Sequence, residues 1–311
     1  MKLSFCSVLI AGGVFLGSMH AAWAQVSISF DYTYDSGGFF SGANNVARTD
    51  LEAAGSALQS RLADTLSAIA PGGGNSWTAQ FSNPATQVQQ NVNNLSVAAN
   101  TLVIFVGSLN LGASTLGLGG AGGFTASGTQ SWLDTISMRG QAGAPNTDVG
   151  PWGGSISFNS IASWYFDPDP SSTESFAGQN DFYSVALHEL GHVLGIGTAT
   201  SWNNQIVGGQ FTGPASKAIN GGNPVPLDSG GGHWANGLTS TLPGTSTLQE
   251  VAMDPSLTVG TRKHFTDLDF AGLQDSGWQV TPVPEPGQYA LVFGLSLLGF
   301  AAYRRRSLHH A

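Results

Sequence analysis

Cysteine is almost missing from this chain. The one cysteine, Cys6, falls within the first 24 residues, a segment that we expect to be removed during export. The mature chain would then contain no cysteine, so disulfide bonds could not stabilise it even in an oxidising compartment. Its stability has to come from packing and hydrogen bonding.

Charged side chains are also scarce, and most of them are acidic. They make up 9% of the sequence, and residues 25–281 hold six Lys/Arg against eighteen Asp/Glu. Proteins that bind nucleic acid or an anionic membrane surface need a local excess of basic side chains. This balance therefore argues against nucleic acid and against an anionic membrane surface as partners.

Apolar runs long enough to approach a bilayer thickness occur only near the two ends. Residues 3–17 are largely apolar, follow the charged Lys2 and precede Ala22-Trp23-Ala24, a small-residue cleavage motif. This pattern is typical of a signal peptide over residues 1–24. A membrane anchor is the alternative, although the run is short for spanning a bilayer.

The sequence does contain one short motif with strong chemical meaning. His188-Glu189-Leu190-Gly191-His192 has the HExxH pattern. The apolar residues around it recur at helical spacing, Asn180 or Asp181 is a suitable N-cap, and Gly195 and Gly197 favour a helix end. In such a helix the two histidines lie on one face and can bind one metal ion.

This pair of histidines favours zinc. Zinc accepts neutral imidazole ligands and, in catalytic sites, keeps one position open for water. Glu189 lies beside the pair, where a carboxylate can take a proton from that water and later deliver it to a leaving amine. Glu189 is therefore the candidate general base.

A third ligand must come from elsewhere in the chain. Of seven histidines, only His233 and His264 lie outside the predicted helix, the leader and the last three residues. His233 follows three glycines, which can bend the loop back toward the helix. We favour His233 as the third metal ligand, and Glu250 and His264 remain alternatives.

These residues resemble the signature of the metzincin metalloproteases, HExxHxxGxxH. His188, Glu189, His192 and Gly195 fall on its first four fixed positions, whereas Thr198 stands where the third histidine belongs. The pattern is similar to that of the leishmanolysin-like branch, in which an insertion displaces the third histidine, and His233 fits that place. Met253 then resembles the methionine turn. A mature chain without cysteine excludes the cysteine-switch mechanism of some metzincins.

The resemblance and the residue patterns together predict an α+β fold for residues 25–282. We expect a metzincin-like zincin domain with a twisted mixed sheet, a long N-terminal helix, the HExxH helix and a loop-rich C-terminal part. The expected strands are residues 26–34, one segment within 83–100, 101–107 as a central strand, and 153–159. The expected helices are residues 49–69, opened by a Thr49–Glu52 capping box, and 266–275, capped by Thr266.

Two further expectations concern the cleft. Residues 107–128, rich in glycine, show no strand or helix period and are expected to form a flexible surface loop, with a loop overhanging the cleft as the alternative. The resemblance places residues 154–158 along the cleft edge, where an extended substrate would pair with the strand. Asp148, Asp167 and Asp169 could also supply oxygens for a structural calcium ion, although their spacing matches no known calcium loop.

The C-terminal segment differs from the rest of the chain in its pattern of apolar and basic residues. Pro284-Glu285-Pro286 is followed by an apolar run to Tyr303 and then by Arg304–Arg306. Residues 283–311 resemble the PEP-CTERM sorting signal of bacteria that carry exosortases. The resemblance implies transient insertion into the inner membrane and processing by an exosortase-type enzyme. A permanent C-terminal anchor is the alternative.

The sequence thus favours an exported zinc endopeptidase that acts on proteins or peptides. Its expected location is the cell surface or extracellular matrix of a Gram-negative-type bacterium. One alternative is a non-catalytic surface or matrix protein that retains the zincin fold, although a purely structural metal site has no need of Glu189. The other is a zinc hydrolase of peptidoglycan-type substrates.

Overall fold

The computed structural model describes residues 26–42, 45–167, 169–172 and 175–283, and within these residues the fold is mixed α+β. The helices are α1 Val46–Gln59, α2 Gln130–Met138, α3 Phe182–Val193, α4 Thr200–Asn203, α5 Pro214–Ile219 and α6 Asp267–Ser276. The strands are β1 Ser27–Asp31, β2 Ser76–Ser82, β3 Gln89–Asn93, β4 Thr101–Leu109, β5 Gly117–Ala121, β6 Gly123–Ser127, β7 Gly153–Asn159, β8 Trp164–Tyr165, β9 Asn180–Asp181, β10 Ile206–Val207, β11 Gln210–Phe211, β12 Val225–Pro226, β13 Thr239–Thr241 and β14 Leu248–Glu250.

The main sheet has the strand order β1-β4-β7-β5. The first three strands run parallel, and β5 runs antiparallel to β7 at the edge. The expected central strand is confirmed, because β4 pairs on both sides and its apolar run is buried on both faces. Ile104 and Val106 face the larger core, whereas Phe105 faces a second core on the opposite side of the sheet.

That second core is closed by a smaller antiparallel sheet of order β3-β2-β6. The expected strand within residues 83–100 is its edge strand β3, whereas β2 and β6 were not expected. The core beneath this sheet is aromatic, with Phe81 stacked on Phe105 at 4.2 Å between ring centroids and Trp152 packed against both. Helix α2 contributes Trp132 to the same cluster.

The prediction of a flexible loop at residues 107–128 is wrong. Within these residues lie β5 and β6, joined through Gly122. Glycine has no side chain to show a strand period, so the pattern gave no signal. Pairing with β7 and contact with α3 define β5 instead.

The position expected for residues 154–158 is also wrong. Strand β7 lies inside the sheet, between β4 and β5, with all of its residues buried. Its backbone groups are used in pairing on both sides, so an extended substrate could not pair with it. The sheet edge nearest α3 belongs to β5.

The N-terminal helix is shorter than expected. Helix α1 begins at Val46, with the Asn45 side chain accepting a hydrogen bond from Arg48 N at 3.2 Å, and it ends at Gln59. The prediction that a Thr49–Glu52 capping box starts this helix is therefore wrong. Apolar residues continue at helical spacing after Gln59, but their backbone bonds to distant segments, as in Val26 N to Leu62 O at 3.3 Å. Tertiary pairing replaces the helix there.

Two expected helices agree with their end signals. Asp181 caps α3 by accepting from Ser184 N at 3.1 Å, and Gly195, with φ +117°, follows its last turn. Thr266 and Asp269 form a capping box that opens α6, and Gly277 ends it. Short-range capping chemistry is sufficient to locate these helix ends.

The two terminal predictions lie largely outside the described residues. The predicted signal peptide, residues 1–24, is not described, and of the predicted sorting segment only Val283 is. No helix in the described part of the chain is long and apolar enough to cross a membrane.

Candidate metal centre

Helix α3 brings the first two histidines together. His188 and His192 are one helical turn apart, half-buried, and their Nε2 atoms lie 3.1 Å from each other. The opposite face of the helix packs into the core through fully buried residues such as Leu187 and Leu190. Core packing thus fixes the rotation of α3 and turns both imidazoles toward the cleft.

His233 reaches the same point from a loop 41 residues further along the chain. Its Nε2 lies 3.1 Å from that of His192. The loop turns through Gly231, with φ +71°, and is tied to the domain by the hydrogen bond from Trp234 N to Met253 O at 3.0 Å. Gly197, after α3, lies so close to the Gly232 backbone that no side chain would fit between them.

The alternative third ligands lie elsewhere. The Glu250 carboxylate forms an ion pair with Lys263 at 2.9 Å, and the ring of His264 packs against Tyr183 at 5.5 Å between centroids. Among the described residues, only His188, His192 and His233 form a group of three or more His, Cys, Asp or Glu side chains that could hold a metal ion.

The hydrogen bonds of the three rings define their tautomers. His188 Nδ1 donates to Ala252 O and His192 Nδ1 donates to Ile196 O, both at 2.8 Å. His233 Nδ1 donates to Asp228 Oδ2 at 3.2 Å. Because these partners can only accept, each Nδ1 carries the proton of the neutral ring. The Nε2 lone pairs then point at one another, an arrangement that is repulsive until a cation lies between them.

The electrostatic surroundings keep two of these rings neutral. Burial lowers the pKa of His188 well below its ordinary value, and the nearby His192 adds to this effect. Burial also lowers the pKa of His192 to about 4, despite the hydrogen bond to Ile196. Neutral imidazole is the form that binds metal. The donor set therefore fits a bound metal ion.

Sequence reasoning missed Asp228. Its carboxylate accepts hydrogen bonds from the ring and from the backbone N–H of His233, each at 3.2 Å. Burial alone would raise its pKa, but the hydrogen bonds from His233 hold the pKa below its ordinary value. An acid five residues before a ligand in a glycine-rich loop is the signal that could have identified it. A carboxylate of this kind orients the histidine that it contacts.

Glu189 lies beside the histidines on the side of β5. Its side chain is buried, and burial raises its pKa to about 8, whereas the nearby Gly119 backbone lowers the pKa. A cation at the three histidines would favour the charged form further. The carboxylate faces the cleft between β5 and α3.

Met253 packs against helix α3 at Gly191, the residue before His192. It is fully buried, and its sulfur occupies the space where a side chain at Gly191 would project. The turn that carries it is held by Asp269, whose carboxylate accepts from Ala252 N at 2.9 Å and Met253 N at 3.1 Å. Asp269 also takes part in the α6 capping box. It thus links that helix to the turn that carries Met253.

The start of α3 is held by a cluster of charges. Arg262 contacts Asp181 and Asp167, each at 2.7 Å. Behind this pair, Asp50 on α1 is fully buried, and one of its oxygens accepts from Asp167 N at 2.9 Å. Burial raises the pKa of Asp50 to about 7, with the neighbouring acids Asp181 and Asp167 adding to the effect.

The three candidate calcium ligands do not form a site. Asp167 is engaged by Arg262, while Asp169 accepts from Ser171 on its own loop. Asp148 lies in another part of the domain, next to Gly277. Among the described residues these acids do not form a metal-binding group.

The histidines open into a cleft of about 680 Å³. One wall is residues 113–119, which lead into β5, and the other is residues 254–259, after Met253. His188, Glu189, His192 and His233 line the cleft between these walls.

Comparisons with known proteins add nothing to this geometry: no family model, no curated protein and no solved structure matches the chain.

Proposed function

We propose that this protein is an exported zinc-dependent endopeptidase of the metzincin type. The observation that carries the proposal is the convergence of three Nε2 atoms, those of His188, His192 and His233, beside a buried Glu189 in an open cleft. The contact of Met253 with Gly191, between the two histidines of α3, supports the resemblance to a methionine turn.

The donor set supports zinc as the metal. Nitrogens bound to one zinc ion at about 2.0–2.1 Å lie roughly 3.3 Å apart in a tetrahedral site. Two of the Nε2 separations are 3.1 Å. Three histidines leave one coordination position open, as catalytic zinc sites do. When bound, zinc would polarise the substrate carbonyl and make a water molecule more acidic.

The chain's own residues then perform three tasks. Asp228 and the carbonyls of Ala252 and Ile196 hold the ligand rings in the tautomer that presents Nε2. Glu189 accepts a proton from the attacking water at its carboxylate and delivers it to the nitrogen of the leaving amine. The position of Glu189 in the wall of the cleft brings its carboxylate next to the three histidines.

The edge strand β5 supports a peptide as the substrate. It pairs with β7 on one side, and its other edge borders the cleft beside Glu189. Free backbone N–H and C=O groups on such an edge can pair with an extended peptide and hold it over the histidines. Substrate pairing, which the resemblance assigned to residues 154–158, is thus proposed for β5.

Casein zymography of residues 25–281 tests the activity. We expect clearing without chelator, none with chelator, and recovery after zinc is restored. Glu189→Gln should retain zinc and lose a hundredfold or more in turnover (about 10²–10⁴, the usual contribution of general acid–base catalysis). The matched control is Glu52→Gln, an exposed residue of α1, which should behave as wild type. A wild type that binds zinc but cleaves no protein would contradict the proposal and favour the non-catalytic or peptidoglycan alternatives.

The resemblance of the C-terminal segment supports the proposed location. A signal peptide over residues 1–24 and a sorting signal over 283–311 would export the domain and hold it briefly in the inner membrane. An exosortase-type enzyme would then cut near Glu285 and release the acidic domain to the cell surface or extracellular matrix.

A further inference from the structure

Strand β5 crosses α3 so closely that two of its glycines touch Glu189. A Cβ atom built on Gly117 would lie 2.6 Å from Glu189 Oε1, 2.7 Å from Cγ and 2.8 Å from Cδ. One on Gly119 would lie 2.6 Å from the Glu189 carbonyl oxygen, 2.9 Å from its Cβ and 3.0 Å from Oε2. Because both residues are glycines, there is room for the Glu189 side chain between β5 and α3.

Backbone conformation does not explain these glycines. Neither lies in the left-handed region, and both belong to a regular antiparallel pair with β7. Gly120, the next residue of β5, would meet nothing within 4 Å if it carried a Cβ. The strand thus has space for a side chain at Gly120 but not at the two positions facing Glu189.

We propose that Gly117 and Gly119 are positioning residues that fix the Glu189 carboxylate. This inference rests on the proposed function, in which Glu189 moves the proton. The two glycines form a wall without side chains, and the Glu189 side chain lies against it. This wall leaves the carboxylate its place close to the histidines.

Such positioning matters because proton transfer depends steeply on distance. A catalytic group has to lie within hydrogen-bonding reach of the proton that it takes. A displacement of about 1 Å at a reacting group can cost about a hundredfold in rate. An alanine methyl at Gly117 would overlap the Glu189 side chain by enough to cause a shift of this size.

The two positions differ in what a methyl group would displace. At Gly117 the three nearest atoms, Oε1, Cγ and Cδ, all belong to the Glu189 side chain, which can rotate away. At Gly119 it meets the α3 backbone, so the strand itself would have to move. Gly117→Ala is therefore the selective variant, because it moves the carboxylate while leaving the fold in place.

The first test is a double-mutant cycle on the thermal unfolding of the metal-free protein. Gly117→Ala should lower the Tm of the wild type by about 2–4 °C, as expected for mild overpacking in a domain of this size. In a Glu189→Ala background, which removes Cγ, Cδ and both oxygens, the same change should have no effect. Gly120→Ala should show no such coupling in either background. An equal Tm loss by Gly117→Ala in both backgrounds would overturn the proposed contact.

The second test measures turnover and metal content. Gly117→Ala should lower kcat on casein by ten- to a hundredfold while KM and zinc content stay within twofold of wild type. Gly123→Ala, on β6, is the control with normal activity, because an added Cβ would make only an ordinary contact, with Gln80 Oε1 at 3.9 Å. An active wild type whose kcat is unchanged by Gly117→Ala would overturn the positioning role alone. A zinc-loaded but inactive wild type would overturn the proposed function together with that role, even if the thermal coupling were observed.

Discussion

Asp228 should set the metal affinity of the site through His233. The variant to make is Asp228→Asn, which preserves size and keeps one oxygen for the His233 backbone N–H. The amide nitrogen that replaces Oδ2, 3.2 Å from His233 Nδ1, is a donor and cannot accept from the ring. The ring then loses the partner that fixes its tautomer and its orientation.

The magnitude follows from the role of such partners. Carboxylates that orient a ligating histidine are worth about 10–100-fold in metal affinity, or about 1.4–2.7 kcal/mol. The effect should lie near the lower end of this range, because the carboxylate of Asp228 is 24% exposed and water can replace part of the hydrogen bond. The other two rings, which donate to backbone carbonyls, keep their orientation in the variant.

A competition titration of purified residues 25–281 with a zinc chelator measures the affinity. The control is Asp134→Asn on α2, whose carboxylate accepts a hydrogen bond from Gln130 on the same helix; this change should leave the affinity unchanged. Thermal unfolding of the metal-free proteins shows whether the variant is folded. A folded Asp228→Asn variant with wild-type affinity would refute the reasoning and show that the loop backbone alone orients His233.

Three further predictions concern the third ligand, a buried acid and the tail. His233→Ala should sharply lower zinc content, whereas His264→Ala should leave zinc and activity near normal; the reverse result would contradict the ligand assignment. Because burial raises the pKa of Asp50 from 3.8 to about 7, its contribution to stability is complete below pH ~4 and is lost as the pH rises toward 7. Asp50→Asn should therefore show a higher Tm than wild type at pH 8 and a smaller fall in Tm between pH 4.5 and 8, and parallel Tm profiles would contradict this. Intact-mass measurement of the surface or secreted protein should find a species lacking residues 291–311, whereas a species that retains its arginines would show a lasting anchor.

Predictions from the sequence worked best where short-range chemistry decides the structure. The α3 helix, with Asp181 as its cap and Gly195 after its end, follows from hydrogen bonds and backbone preferences within a few residues. The same holds for Thr266 at the start of α6. Because helical spacing alone puts His188 and His192 on one face, the histidine pair required no knowledge of the tertiary fold.

Predictions failed where distant segments compete with local preference. Helical spacing continued to residue 69, yet the residues after Gln59 leave the helix because their backbone groups bond to distant segments, as Leu62 does to Val26 and Ala63 to Gln279. Local patterns carry no information about such partners. The Thr49 capping box lost to Asn45 for a related reason, since Asn45 is also anchored by its amide to the carbonyl oxygens of Phe39 and Ser41, each at 2.9 Å.

The sequence by itself determined the chemistry available to this protein: two histidines and a glutamate on one helix, an acidic chain and no cysteine after Cys6. The tertiary structure decided how that chemistry is assembled. It selected His233 over His264 and Glu250, placed Asp228 behind it, and made glycine-rich β5 the strand beside Glu189. The physical reason is the distance along the chain between interacting residues. Capping and helical periodicity act over a few residues, whereas the closing of a loop and the pairing of a strand depend on partners far along the chain.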